Sequence, residues 1–195
     1  MDSRQALRKK LREQRANLTL SEQDIATQKV TKHLIQDSLF HQSQNIAAYI
    51  PINNEINAKI IIEKIWENHK RCYLPVLQHK KLVFCVYERD TPLKNNRFNI
   101  LEPPLDPEFT INPYDLDLVL VPLLGFTMSG KRLGMGGGFY DRTFSFLLDK
   151  TRPNKPYLIG LAYEWQKLET ETWQERNWDV PLDAIVTEKK IYTQK

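Results

Sequence analysis

"LDLVLVPLLGFTMSGKRLGMGGGFYDRTFSFLLDK", Leu116 to Lys150, is the most informative run in this 195-residue chain. The apolar segment at its start reads as a strand, and Phe144, Leu147 and Leu148 downstream recur at helical spacing. Four glycines in five positions, Gly134, Gly136, Gly137 and Gly138, therefore stand between a strand and a helix, a place where phosphates bind. Neither GxxxxGK[ST] nor GxGxxG is present. The chemistry around the glycines says more than their spacing. Side chains are missing where backbone N–H groups would approach phosphate oxygens, Arg132 before them supplies a cation, and Asp141 after them supplies a carboxylate suited to Mg²⁺. A tight turn needing positive φ is the competing reading, but one or two glycines serve such a turn. Four favour close backbone contact with a ligand.

Outward from this run the chain alternates. "LTLSEQDIATQKVTKHLI" reads as a helix that starts at a box-like Ser21/Asp24 pair and turns Ile25, Val30, Leu34 and Ile35 inward. "IAAYIPI" (46–52) is a short strand ended by Pro51, "AKIIIEKIWENH" a helix, and "CYLPVL" and "LVFCVYE" two further strands. Five prolines between Asp90 and Pro113 mark a long connection, and "YLIGLAY" and "DAIVT" supply the last strands. Strands separated by helices predict a single-domain α/β/α sandwich of three layers with a largely parallel sheet, whose ligands sit beyond the carboxyl ends of strands. The "IPINNE" and "GKRLGMGGGFYD" loops both follow strands, which makes them two walls of one cleft.

Hydrophobic residues at 41 % and charged ones at 27 % describe a folded globular protein and exclude a disordered one. No apolar run reaches membrane-spanning length and the amino terminus has no apolar leader core, so a cytoplasmic location is expected. Cys72 and Cys85 lie in strand-like runs without ligand spacing and read as buried, reduced thiols, and no histidine stands in a motif. The net charge of +4 is mild, but six cations (Arg4, Arg8, Lys9, Lys10, Arg12, Arg15) crowd the first helix against one acid, Glu13. Leu7, Leu11 and Leu18 give that helix a narrow apolar stripe, leaving its other face basic. Alone, that face reads as solvated; beside a cleft it becomes an electropositive wall for an anion.

The stretches "RQALRKKLREQRANLT", "AAYIPINNEIN", "KRCYLPVL", "GKRLGMGGGFYDR" and "WDVPLDAIVTEK" together resemble the 5-formyltetrahydrofolate cyclo-ligase family over nearly the whole chain. The resemblance implies one domain over 1–195 of the NagB/RpiA/CoA-transferase-like kind. It implies that ATP and Mg²⁺ convert 5-formyltetrahydrofolate, free or polyglutamylated, to 5,10-methenyltetrahydrofolate, on a monomer without nucleic-acid or membrane partners. Carried onto this sequence, it places ATP on Arg4, Gln5, Ala6, Leu7 and Arg8 and on Arg132, Leu133, Gly134, Met135, Gly136, Gly137, Gly138, Phe139 and Tyr140. It places folate on Ile50, Glu55 and Met135 to Phe139, with Glu55 accepting from pterin N–H groups, and Arg132 and Tyr140 as catalytic groups. Asp141 matches a Mg²⁺ ligand and Asp179 the second acid, with Asp183 competing by spacing. Some relatives carry lysine where this chain has Gly137, so Lys131, Arg132 or the amino-terminal arginines must act in its place. Phe139, Tyr140, Tyr163 and Trp165 are candidates to stack on a flat ring.

Two other classes fit parts of the pattern. A nucleic-acid module explains the basic helix but not the glycine loop, and acids nearly match bases elsewhere. Another ATP-dependent small-molecule phosphotransferase or ligase explains loop, acid and cations equally well, since spacing does not name the acceptor.

Overall fold

The computed structural model describes residues 3–169 and 176–194. Its centre is an eight-stranded sheet in which β7 (Leu118–Pro122) is an inner strand, paired in parallel with β1 (Asn45–Ala47) and β10 (Tyr157–Leu161). Outward, β1 pairs in parallel with β2 (Arg71–Gln78), and β10 with β11 (Ala184–Val186). Antiparallel edges complete it: β12 (Ile191–Thr193) on β11, and β3 (Lys81–Val86) with β6 (Thr110–Ile111) beyond β2. The expected largely parallel sheet is present, and its edges turn antiparallel because β2–β3 and β11–β12 are joined by short turns, not crossovers.

Unbroken apolar strands are needed because both faces are covered. Leu118 and Leu120 join Ile46, Leu74 and Ile159 in one core, while Val119 and Val121 join Ala47, Leu158 and Ile185 in the other. The first core lies under α2 (Leu20–Gln36), α3 (Ser38–Gln42) and α4 (Ala58–Glu67), which contribute Val30, Leu34, Phe40, Ile61 and Ile65. The start of α2 differs from the Ser21/Asp24 expectation. Thr19 is the cap: its hydroxyl accepts from the Glu22 N–H while the Glu22 carboxylate accepts from the Thr19 N–H. Set from that residue, the face at 26, 30 and 34 turns inward and Ile25 is 51 % exposed.

On the second face the expected helix shrinks to one turn, α5 (Phe139–Thr143), followed by a 3₁₀ turn, Ser145–Leu148. The i, i+3 spacing of Phe144 and Leu147 serves a 3₁₀ turn as well as an α-helix, and both are buried while Leu148 is exposed. Two small hairpins were not legible as strands: β4 (Lys94–Asn95) with β5 (Leu101–Glu102), inside the proline-rich connection, and β8 (Gly125–Phe126) with β9 (Arg132–Leu133), just before the glycines. The first helix, α1 (Ser3–Ala16), packs its Leu11 against Leu124 and Leu133 beside that second hairpin. Cys72 and Cys85 are buried and free, and burial pushes both thiols up, which leaves them unreactive.

Asp117 ties the sheet together at the start of β7. Its carboxylate accepts from the N–H groups of Gln44 (3.0 Å) and Asn45 (2.9 Å) and from Lys155 Nζ (2.8 Å). Burial works against its charge, but the Lys155 ammonium and the two N–H groups prevail and hold it below the usual aspartate range. Asp117→Asn is expected to cost about 1–2 kcal/mol at neutral pH. A depressed folded-state value means stability that is present above the unfolded value and lost as pH falls through the folded one. Denaturant melts should therefore show wild type and variant converging below about pH 4.

Candidate active site

A cavity of about 540 Å³ opens beyond the carboxyl ends of β1, β2 and β7, in the size range of small-molecule sites. Ile50, Ile52, Asn53 and Glu55 from the loop after β1 form one wall, and Gly134 to Asp141 form another. The two loops expected to face each other across a cleft do so.

Arg4 and Arg8 of α1 complete the floor. Here the helix departs from a simple division into an apolar and a basic face. Arg4, Leu7, Arg8, Leu11 and Arg15 recur at three- and four-residue spacing, so these arginines lie on the packed face among the leucines, and Arg4 and Arg15 are buried. Lys9, Lys10 and Arg12 are the solvated ones. Gln5 and Ala6 are exposed and their side chains do not line the cavity; Leu7 packs toward Leu124 and Leu133. Leu133 is fully buried in the same cluster.

The four glycines have different reasons to be glycine. Gly136 and Gly138 take φ of 105° and 64°, a region side chains resist. At Gly137 a Cβ would stand 2.6 Å from the Phe139 ring. At Gly134 a Cβ would meet nothing within 4 Å, so the bare backbone there faces open space at the cavity wall. Arg8 Nε donates to the Gly134 carbonyl at 2.9 Å, and Arg142 donates to the Gly137 carbonyl at 2.6 Å, which fixes the loop from both sides. Since α5 is a single turn, its dipole adds less than a full helix would. Of the cations considered in place of the loop lysine, Arg4, Arg8 and Arg132 line the cavity and Lys131 does not.

Asp141 and Asp179 line this cavity, each against an arginine: Arg132 Nη2 donates to Asp141 Oδ1 at 2.6 Å, and Arg4 Nη2 to Asp179 Oδ2 at 2.7 Å. The Val180 N–H also donates to Asp141 Oδ1, at 3.2 Å. Asp183 is elsewhere, bound by Arg152 at 2.7 Å and by the Leu158 N–H at the start of β10, and does not line the cavity. Among the described residues no three His, Cys, Asp or Glu side chains form a metal cage. Two carboxylates beside a loop of bare backbone nevertheless fit Mg²⁺, which takes one or two carboxylates and completes its shell with phosphate oxygens and water.

Glu55 is buried at the cavity wall, its Oε2 accepting from the Ile52 N–H (3.2 Å) and its Oε1 from Arg15 Nη1 (3.3 Å). Burial pushes its carboxyl up, and the Arg15 guanidinium opposes that. Tyr140 lies with the Arg132 guanidinium over its ring at 5.5 Å, and burial pushes its phenol up, so at neutral pH it is a donor and not a base. Phe139 and Tyr140 line the cavity, whereas Tyr163 and Trp165 stack on each other outside it.

Several lining residues escaped sequence reasoning. The β4–β5 hairpin brings Asn96 and Phe98, whose ring meets Phe139 edge-on at 5.9 Å; Asn96 holds the turn by accepting from the N–H groups of Phe98 and Ile100. The Asn-rich run "KNNRFN" is the trace such a turn leaves in sequence. Arg176 and Trp178 also reach the cavity, the guanidinium lying 5.4 Å from the ring centre; Trp178 opens the "WDVPLDAIVTEK" stretch without a role having been read from it, and no motif marks Arg176.

A family model described as the 5-formyltetrahydrofolate cyclo-ligase family matches residues 1–188. The chain belongs to the 5-formyltetrahydrofolate cyclo-ligase family. A cyclo-ligase of Haemophilus influenzae is 41 % identical over 187 residues, covering 94 % of this chain and 96 % of that one. The solved structure of the Aquifex aeolicus 5,10-methenyltetrahydrofolate synthetase superposes with a TM-score of 0.82 at 30 % identity, covering 98 % of this chain and 93 % of that one. That of the Mycoplasma pneumoniae synthetase gives 0.73 at 30 % identity, covering 96 % and 99 %. Membership in the cyclo-ligase family thus extends over the whole site and not only over the glycine loop.

Proposed function

We propose that the protein closes 5-formyltetrahydrofolate to 5,10-methenyltetrahydrofolate at the expense of ATP. The observation that carries this reading is the meeting in one cavity of a bare backbone loop, Arg4, Arg8 and Arg132, the Asp141 and Asp179 carboxylates and the Ile50–Glu55 wall, in a chain of cyclo-ligase descent. An N-formyl amide is a poor electrophile, and ring closure must expel its oxygen. Attack of the formyl oxygen on the γ-phosphorus, with the bond to ADP breaking, turns that oxygen into a phosphate ester of an imidate. N10 then attacks the formyl carbon, its proton passes to solvent, and phosphate leaves in place of hydroxide.

The side chains position groups and balance charge, as in other phosphoryl transfers. Arg4, Arg8 and Arg132 face the phosphates, and the backbone from Gly134 to Gly138 lets them come close. Asp141 and Asp179 would hold Mg²⁺, which when bound neutralises phosphate charge. Tyr140 keeps its proton and donates toward the reacting oxygens beside Arg132. Ile50 and Met135 to Phe139 contact the folate, and Glu55 accepts from its pterin N–H groups. Among the described residues no helix is long and apolar enough to cross a membrane.

The test is the near-ultraviolet absorbance of the methenyl product, from purified protein, 5-formyltetrahydrofolate and Mg²⁺. The band is expected only when ATP is added. ATP binding without the band would move the assignment to another acceptor.

A further inference from the structure

Arg15 is the most deeply buried charged side chain among the described residues, at 1 % exposure, and its burial is poorly compensated. Nη1 reaches the Glu55 carboxylate and the Leu123 carbonyl, both at 3.3 Å, while Nε and Nη2 are buried without hydrogen-bond partners. A buried ion pair of this quality adds little stability, and an apolar side chain would suit the leucine-lined face of α1 better. What the arginine does achieve is local. Leu123 directly follows Pro122 at the end of β7, Glu55 ends the loop after β1, and Pro122 and Glu55 both line the cavity. The Arg15 backbone takes part too, its carbonyl accepting from Asn54 Nδ2 at 3.3 Å.

We propose that Arg15 is a positioning residue for the folate: from the end of α1 it clamps the 50–55 loop to the end of β7 and fixes the Glu55 carboxylate at the cavity wall. The proposal rests on the reading of Glu55 as the pterin acceptor. Arg15 is the cation that faces Glu55. The other titratable groups facing it are the phenols of Tyr49, Tyr140 and Tyr163, which burial pushes up and keeps neutral. Burial already raises the Glu55 carboxyl, and losing the opposing guanidinium raises it further. Losing Arg15 therefore favours the protonated form of Glu55, and the carboxylate returns as pH rises.

The experiment measures 5-formyltetrahydrofolate binding by calorimetry, without ATP, as a function of pH. Arg15→Met is expected to weaken binding about tenfold or more at pH 7, through loss of a hydrogen bond to a charged acceptor, and the deficit should shrink as pH rises. Arg15→Lys, which keeps the charge, should stay nearer wild type. The double variant Arg15→Met/Glu55→Gln leaves no buried charge unpaired, so it remains measurable if Arg15→Met alone fails to fold. It should bind no worse than Glu55→Gln, because Arg15 acts through Glu55. Wild-type affinity in Arg15→Met at all pH values, a loss that pH does not reverse, or a double variant far weaker than Glu55→Gln would overturn the role of Arg15. Wild-type affinity in Glu55→Gln would instead remove the pterin contact on which the proposal stands.

Discussion

Asp141→Asn is expected to lower turnover by about 10²-fold or more while the protein stays folded. The substitution is chosen because Asp141 Oδ1 already accepts from Arg132 Nη2 and the Val180 N–H. An asparagine carbonyl keeps both bonds and removes only the negative charge that Mg²⁺ requires. Alanine would also free Arg132 and so confuse two effects. Turnover measured against Mg²⁺ concentration, beside thermal unfolding, separates charge from fold. Wild-type turnover at saturating Mg²⁺ would remove Asp141 from the metal site.

Gly134→Val is the second large effect: ATP affinity should drop about tenfold to a hundredfold, by loss of one or two charge-assisted contacts, with little change in melting temperature. A Cβ at Gly134 meets no atom within 4 Å, so the isopropyl group occupies space at the cavity wall and not the core. Gly136→Val is a poorer probe. Its φ of 105° strains any side chain, and the Cβ would lie 3.5 Å from Arg8 Cζ, so stability and binding would fall together. Unchanged ATP binding in Gly134→Val would argue against a phosphate cradle built from this backbone.

What could be read before folding was whatever depends on local pattern. The apolar strand Leu118–Val121, the helix Ala58–Glu67 and the glycine cluster each carry their own periodicity or composition, and each is found where the pattern put it. The resemblance carried by "GKRLGMGGGFYDR" and its companions extended this to the family, because that run combines backbone freedom with fixed charges.

The sequence by itself therefore determined the fold class, the family and the two loops that make the cleft. Tertiary structure decided which charges count. Six cations on α1 look alike in sequence, yet packing against Leu124 and Leu133 turns Arg4, Arg8 and Arg15 inward and leaves Lys9, Lys10 and Arg12 in solvent. Asp179 and Asp183 stood level by spacing until the chain path set one against Arg4 and the other against Arg152. Periodicity records which residues are buried; whether a buried charge meets a partner, a ligand or nothing depends on elements more than a hundred residues apart, as Arg4 and Asp179 are, and only the folded chain brings those together.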